Sequence, residues 1–291
     1  MYLMAHAHGE YYQPQPSYWP LIASFALFSM AASFTAYLNG VEIGKYLLIA
    51  AIGVLFFMMY GWFREVIRES EAGLYNEQVD RSFRWGMIWF IISEIFFFAA
   101  FFGALYYTRD LTLPWLLGEG AKGVAHTFLW PEFTEVWPTN GPQSVGGEFE
   151  TMAAWGIPAI NTLILLTSGV TVTWAHWGLK KDNRQQLIIG LFLTVALGFT
   201  FVGLQIYEYG HAMDELNLRF SSGIYGSLFY MLTGFHGFHV TVGSIMLLVV
   251  LFRSLAGHFT PKHHFAFEGV AWYWHFVDVV WLGLFIFVYW L

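Results

Sequence analysis

Residues 268–281 read EGVAWYWHFVDVVW, and they place His275 and Asp278 inside the last long apolar run of the chain. Trp272, Tyr273, Trp274 and Trp281 surround the two ionisable side chains in sequence. Residues three apart share a helix face, so on a helix His275 and Asp278 can partner each other. An ionisable pair within a membrane helix is costly and marks a functional site by default. The alternative is a pair that only satisfies itself at a helix–helix seam. Spacing alone leaves both readings open.

Composition says what kind of helix this is. Of 291 residues, 57% are hydrophobic and 11% charged, with 30 Phe, 16 Tyr and 14 Trp. Soluble domains carry roughly 25% charged residues. So few charges cannot cover a water-facing surface, and the reading is an all-α integral membrane protein. With no cysteine, disulfides, thiolate metal sites, iron–sulfur clusters and covalent c-type haem attachment are excluded. The first 18 residues are polar, carry His6 and His8 and lack a basic stretch. They are not read as a cleavable signal peptide.

A membrane-crossing helix needs about 20 mostly apolar residues. Seven windows fit: 19–38, 46–63, 83–107, 155–177, 187–209, 224–252 and 270–291. The first two are joined by a short turn, so 19–63 reads as a hairpin and 83–291 as the remaining five spans. Trp19, Trp62, Trp85, Trp155, Trp177 and Trp290 lie near span ends, where an aromatic belt belongs. Nine of the basic residues (Arg64, Arg68, Arg81, Arg84, Lys180, Lys181, Arg184, Arg253, Lys262) fall on one side of this topology. Lys45, Arg109, Lys122 and Arg219 fall on the other. The positive-inside rule then sets the N-terminus in the cytoplasm and the C-terminus outside. The acidic, proline-broken segment 108–151 becomes an external loop.

Other polar groups lie inside the spans. Glu94 is ten residues beyond Arg84, about 15 Å along a helix, and reads as a proton-handling acid or a packing-critical one. His236 and His239 sit three apart in TGFHGFHV. With His176 and His275 they raise the possibility of b-type haem ligation, against which stands the plainer reading of polar seams between helices. A transporter driven by Glu94 and Asp278 would call for repeated halves, and no repeat is visible. Zinc and copper sites find no support, since the adjacent His263 and His264 point apart on any regular backbone. Near the span ends on the basic side, Trp62, Arg64, Arg68, Glu69, Arg253 and His258 form a lipid-headgroup constellation: arginine suits bidentate phosphate contact, and basic pockets on the cytoplasmic side bind anionic lipids. Simple positive-inside anchoring is the alternative.

Several strings then coincide in order: GWFREVIRES (61–70), ISEIFFF (92–98), INTLILLTSGVTVTWAH (160–176), TGFHGFHV (233–240) and HHFAFEGVAWYWHFVDVVW (263–281). Together they resemble subunit III of bacterial aa3-type cytochrome c oxidases, members of the haem–copper respiratory oxidases. The resemblance covers essentially the whole chain. It implies two bundles, spans 1–2 and spans 3–7, meeting in a V-shaped cleft filled with phospholipid. It implies a chain with no metal or redox centre of its own, haem a, haem a3, CuA and CuB being in subunits I and II. The implied partners are those subunits, phospholipids and, through the complex, cytochrome c, with no nucleic acid. By position Glu94 matches the family's buried carboxylate, and Trp62, Arg64, Arg68, Glu69, Arg253 and His258 match its lipid-contact region. His236, His239, His275 and Asp278 are left as buried structural groups. Trp177 departs from the pattern, standing where the family often has a second histidine. A related quinol oxidase would share these features, because the electron donor is chosen by subunit II. The implied location is the bacterial inner membrane.

Overall fold

The computed structural model describes residues 12–121 and 123–291. His6, His8 and Lys122 lie outside the described residues. The described residues form helices joined by turns and loops, with no strand among them. Seven of the helical stretches are long and apolar enough to cross a membrane, so the chain is a multi-pass membrane protein. They are α1 (Trp19–Leu38), α2 (Ile43–Glu71), α3 (Glu77–Tyr106), α6 (Ile157–Lys180), α7 (Arg184–Asp214), α8 (Gly223–Ala256) and α9 (Phe265–Leu284). Two short helices, α4 (Leu113–Leu116) and α5 (Val124–Leu129), follow α3.

The helices start and stop where local chemistry demands. Pro20 and Pro158 occupy the first turns of α1 and α6, where the missing N–H costs nothing. The Asn183 side chain caps α7 by accepting from the Gln186 N–H at 3.1 Å. Asp182, at φ 55°, turns the chain between α6 and α7. Its N–H donates to Leu179 O and that of Asn183 donates to Gly178 O, closing the last carbonyls of α6. The same closure ends α8 at Gly257, whose φ is 90°.

Several bounds differ from the apolar windows. α2 runs eight residues past Phe63, so Arg64, Arg68 and Glu69 lie on a helix and not in a loop. α3 begins at Glu77, and Arg253 sits within α8. Hydropathy marks where hydrocarbon ends, while helices carry on into water when their charged residues still favour helix. The segment expected as an external loop from 108 is helical at its start. α3 continues through a π-helical turn, Tyr107–Thr112, into α4, and the described residues between α4 and α6 are irregular apart from α5.

The chain divides into two units, Met1–Phe83 and Arg84–Leu291. In the first, α1 packs along α2, and a Cβ on Gly61 would enter the ring of Trp19. In the second, α6 packs on α7, α7 on α8, α8 on α9 and α9 back on α6, closing a ring of four helices. Its interior is filled by Trp274, Trp281, Phe201, Leu191, Leu232 and Leu247, each 0–1% exposed. α6 and α7 approach closely, and a Cβ on Gly190 would sit 2.7 Å from that of Ala175. Small residues at such seams let backbones meet where no hydrophobic effect drives helices together. Large apolar side chains face outward in both units, Phe28, Phe56 and Val170 among them, as contact with lipid requires.

Candidate functional site

At the end of α2 the periodicity sorts charges by sign. Arg64 and Arg68 are one turn apart and both exposed, and Trp62, two residues before Arg64, is half exposed. Glu65 and Glu69 lie on a different face and are tied inward. Trp19 Nε1 donates to Glu65 Oε2 at 2.5 Å, and the Tyr75 hydroxyl donates to Glu69 Oε2 at 2.7 Å. Tyr12 meets Tyr75 edge-on at 5.5 Å. Burial first, and then its bond to Glu69, push the Tyr12 hydroxyl up to about 12. The Tyr75 hydroxyl moves the same way for the same reasons. Glu65 and Glu69 are thereby occupied by partners from before and after the helix, leaving the two arginines on the outer face.

The second basic locus is at the end of α8. The turn at Gly257 folds the chain back, the His258 N–H donating to Arg253 O at 3.1 Å. This puts the Arg253 guanidinium over the ring of Phe259, 4.6 Å from its centroid. Arg253 and His258 are therefore neighbours, held by a helix cap. Nearby, Arg184 donates to Ser254 O, joining the start of α7 to the end of α8. On α3, Arg84 places Nε and Nη2 on Glu268 Oε2 at 3.1 and 2.8 Å, fixing α3 to the start of α9.

Deeper in the second unit the buried ionisable groups have specific partners. Glu94 Oε2 lies 3.0 Å from His239 Nε2, and His239 Nδ1 donates to Phe235 O at 2.6 Å. One proton therefore lies between Glu94 and Nε2. The rings of Phe97, Phe98, Phe238 and Tyr273 close around that imidazole. His236, three residues earlier on α8, donates from Nε2 to Val277 O at 3.1 Å and packs on Trp281. The two histidines of α8 thus serve different helices: α3 for His239 and α9 for His236.

His275 and Asp278 do approach each other, Nδ1 to Oδ2 at 3.7 Å, within ion-pair range but beyond a hydrogen bond. His275 Nε2 instead contacts Thr173 Oγ1 on α6 at 3.2 Å. Asp278 is buried against Gly169, where a Cβ would come 2.5 Å from its Oδ2. The pair lines a shallow groove of about 570 Å³ between α6 and α9, walled by Leu166, Val170, Trp174 and Leu282. Two tryptophans of α9 add cross-bundle bonds that spacing did not reveal: Trp274 Nε1 to Ser168 Oγ at 2.8 Å and Trp281 Nε1 to Thr162 Oγ1 at 2.9 Å. His176 Nε2 faces His264 Nε2 at 3.4 Å. Among the described residues no three His, Asp or Glu side chains are gathered to hold a metal.

The arrangement is a set of polar rivets in an apolar bundle, with two basic caps at helix ends. What such a chain belongs to is given by comparison. The profile of the family described as cytochrome c oxidase subunit III matches residues 9–291. This chain belongs to the cytochrome c oxidase subunit III family. The subunit III named cytochrome c oxidase subunit 3 in Chondrus crispus is 44% identical over 278 residues, covering 94% of this chain and 91% of that one. Its namesake in Prototheca wickerhamii is 44% identical over 277 residues, 94% of each. That of Dugong dugon is 40% identical over 288 residues, 99% of each. A subunit III is by definition part of an oxidase complex with other subunits. The interior bonds described above are accordingly those of a subunit III bundle.

Proposed function

We propose that this chain is the non-redox subunit III of a proton-pumping aa3-type cytochrome c oxidase, which reduces oxygen to water. The match along nearly the whole length to curated subunits of that name carries this reading. In it, haem a, haem a3, CuA and CuB reside in subunits I and II, and cytochrome c is the electron donor to the complex. His176, His236, His239, His264 and His275 are engaged with backbone, hydroxyl, carboxyl or imidazole groups, which supports a structural use for them.

The chain's own work is to stabilise subunit I and to hold phospholipid. Trp62, Arg64, Arg68 and Glu69 on α2, and Arg253 with His258 at the end of α8, are the proposed headgroup contacts. The outward pair Arg64 and Arg68 suits a phosphate, because guanidinium groups offer paired N–H donors. Spans 1–2 and 3–7 are proposed as two bundles flanking a V-shaped, lipid-filled cleft. Oxygen partitions into hydrocarbon, so such a cleft would also be a route for oxygen toward subunit I. The location that follows is the bacterial inner membrane, with the N-terminus cytoplasmic. Replacing Arg253 and Arg68 with neutral residues tests the proposal. Lost phospholipid and faster inactivation during turnover are expected, and unchanged lipid content and lifetime would refute it.

A further inference from the structure

Three side chains at one end of the four-helix ring carry polar atoms that the mechanism above does not use. Asn161 on α6 and Glu208 on α7 are 0% exposed, and Gln205 on α7 is 4% exposed. Among the described residues, Asn161 Nδ2 and Oδ1, Gln205 Oε1 and Glu208 Oε2 have no hydrogen-bond partner. The rest of the cluster is well bonded. The Tyr289 hydroxyl, in the π-helical turn after α9, donates to Glu208 Oε1 at 2.6 Å. Gln205 Nε2 reaches the same oxygen at 3.4 Å.

The register of α6 on α7 brings the three residues to one level. Gly178 lies against Leu187, Ala175 against Gly190, and Thr171 bonds Thr194 at 2.8 Å. Each step down one helix equals the step up the other. Continuing ten residues from Thr171 sets Asn161 beside residue 204, next to Gln205 and one turn from Glu208. Bonds on neighbouring residues hold this end in place, Thr162 accepting from Trp281.

We propose that Asn161, Gln205 and Glu208 form an internal water site between α6 and α7. A water accepting from Asn161 Nδ2 and donating to Gln205 Oε1 and Glu208 Oε2 makes the three bonds typical of a buried water. A second water donating to Asn161 Oδ1 completes the set. Buried polar groups without partners are strongly disfavoured, and inside a bilayer no bulk water replaces them. A bound cation fits less well, since Asn161 Nδ2 is a donor and needs an acceptor.

The sign of one substitution tests this. If Asn161 bonds water, Asn161→Leu strands Gln205 Oε1 and Glu208 Oε2 and lowers the melting midpoint of the subunit in its native membrane assembly by at least about 2 °C. If the amide is dry, the apolar near-isostere removes an unsatisfied group and raises the midpoint, which overturns the proposal. A high-resolution map of the unsubstituted assembly gives an independent reading. Density within about 2.6–3.2 Å of Asn161 and Glu208 supports the site. No density there, or a peak with all-oxygen contacts near 2.4 Å as for a metal ion, refutes it.

Discussion

Glu94 on α3 and His239 on α8 meet at 3.0 Å inside a shell of phenylalanine and tyrosine rings. They are 145 residues apart in the chain, and their bond ties α3 to the four-helix ring. Two groups that would each be expensive in hydrocarbon are made tolerable by sharing a proton.

Glu94→Gln retains a donor for His239 Nε2. Interhelical hydrogen bonds in membranes average about 0.6 kcal/mol, so this variant is expected to assemble and keep most proton pumping. Glu94→Leu leaves the imidazole nitrogen unpartnered among aromatic rings, at a cost of about 1–3 kcal/mol. Thermal dissociation of the two variants should separate them in that order. A large loss of pumping stoichiometry in Glu94→Gln would make Glu94 a proton carrier instead.

Gly169→Ala places a methyl 2.5 Å from Asp278 Oδ2. The carboxylate must shift, and overpacking of this kind costs about 1–3 kcal/mol. Gly237→Ala on α8 meets nothing within 4 Å, so it is expected to be neutral or to stabilise by up to about 1 kcal/mol. Subunit retention after mild heating compares the two. Equal tolerance would contradict the close packing of α6 on α9.

Tyr12 and Tyr75 give a pH signature outside the membrane. Both hydroxyls are raised above the ordinary value of 10.0, Tyr12 to about 12. A raised folded value means their contribution to stability is complete below pH 10 and is lost as pH climbs through the folded values. Tyrosinate absorbance should show these two ionising above the ordinary tyrosine value of 10.0. Glu69→Gln removes the carboxylate that both face and should bring them down.

Arg84→Lys keeps the charge opposite Glu268 but loses the forked contact of Nε and Nη2 on one carboxylate oxygen. The pair is partly exposed, so screening limits the loss to about 1 kcal/mol or less. A double-substitution cycle with Glu268→Gln measures it, and a coupling of zero would show that the pair does not hold α3 to α9.

The seven spans were legible because about 20 apolar residues have no other use in such a polar-poor chain. Helix ends were not: Arg64, Glu65, Arg68, Glu69 and Glu71 are charged yet helical, and hydropathy reports the bilayer and not the backbone. Spacing gave the approach of His275 to Asp278 but not the 3.2 Å contact with Thr173, which depends on how α6 meets α9. In the same way Glu94 and His239 were each visible as costly residues, while their union was not. Periodicity says which residues share a face and is silent on what that face meets. Tyr289 escaped notice as a partner of Glu208 because a tyrosine near a span end reads as belt.

In the proposed reading, this chain lends form and lipid to an oxidase whose metals lie in neighbouring subunits. The most direct test is to purify the tagged chain gently from its own membrane, release it from its partners with detergent, and follow haem absorbance and metal content through both steps. Haem and copper are predicted to accompany the intact complex and to stay wholly with the other subunits on release. A Soret band, iron or copper travelling with this chain alone would contradict the claim.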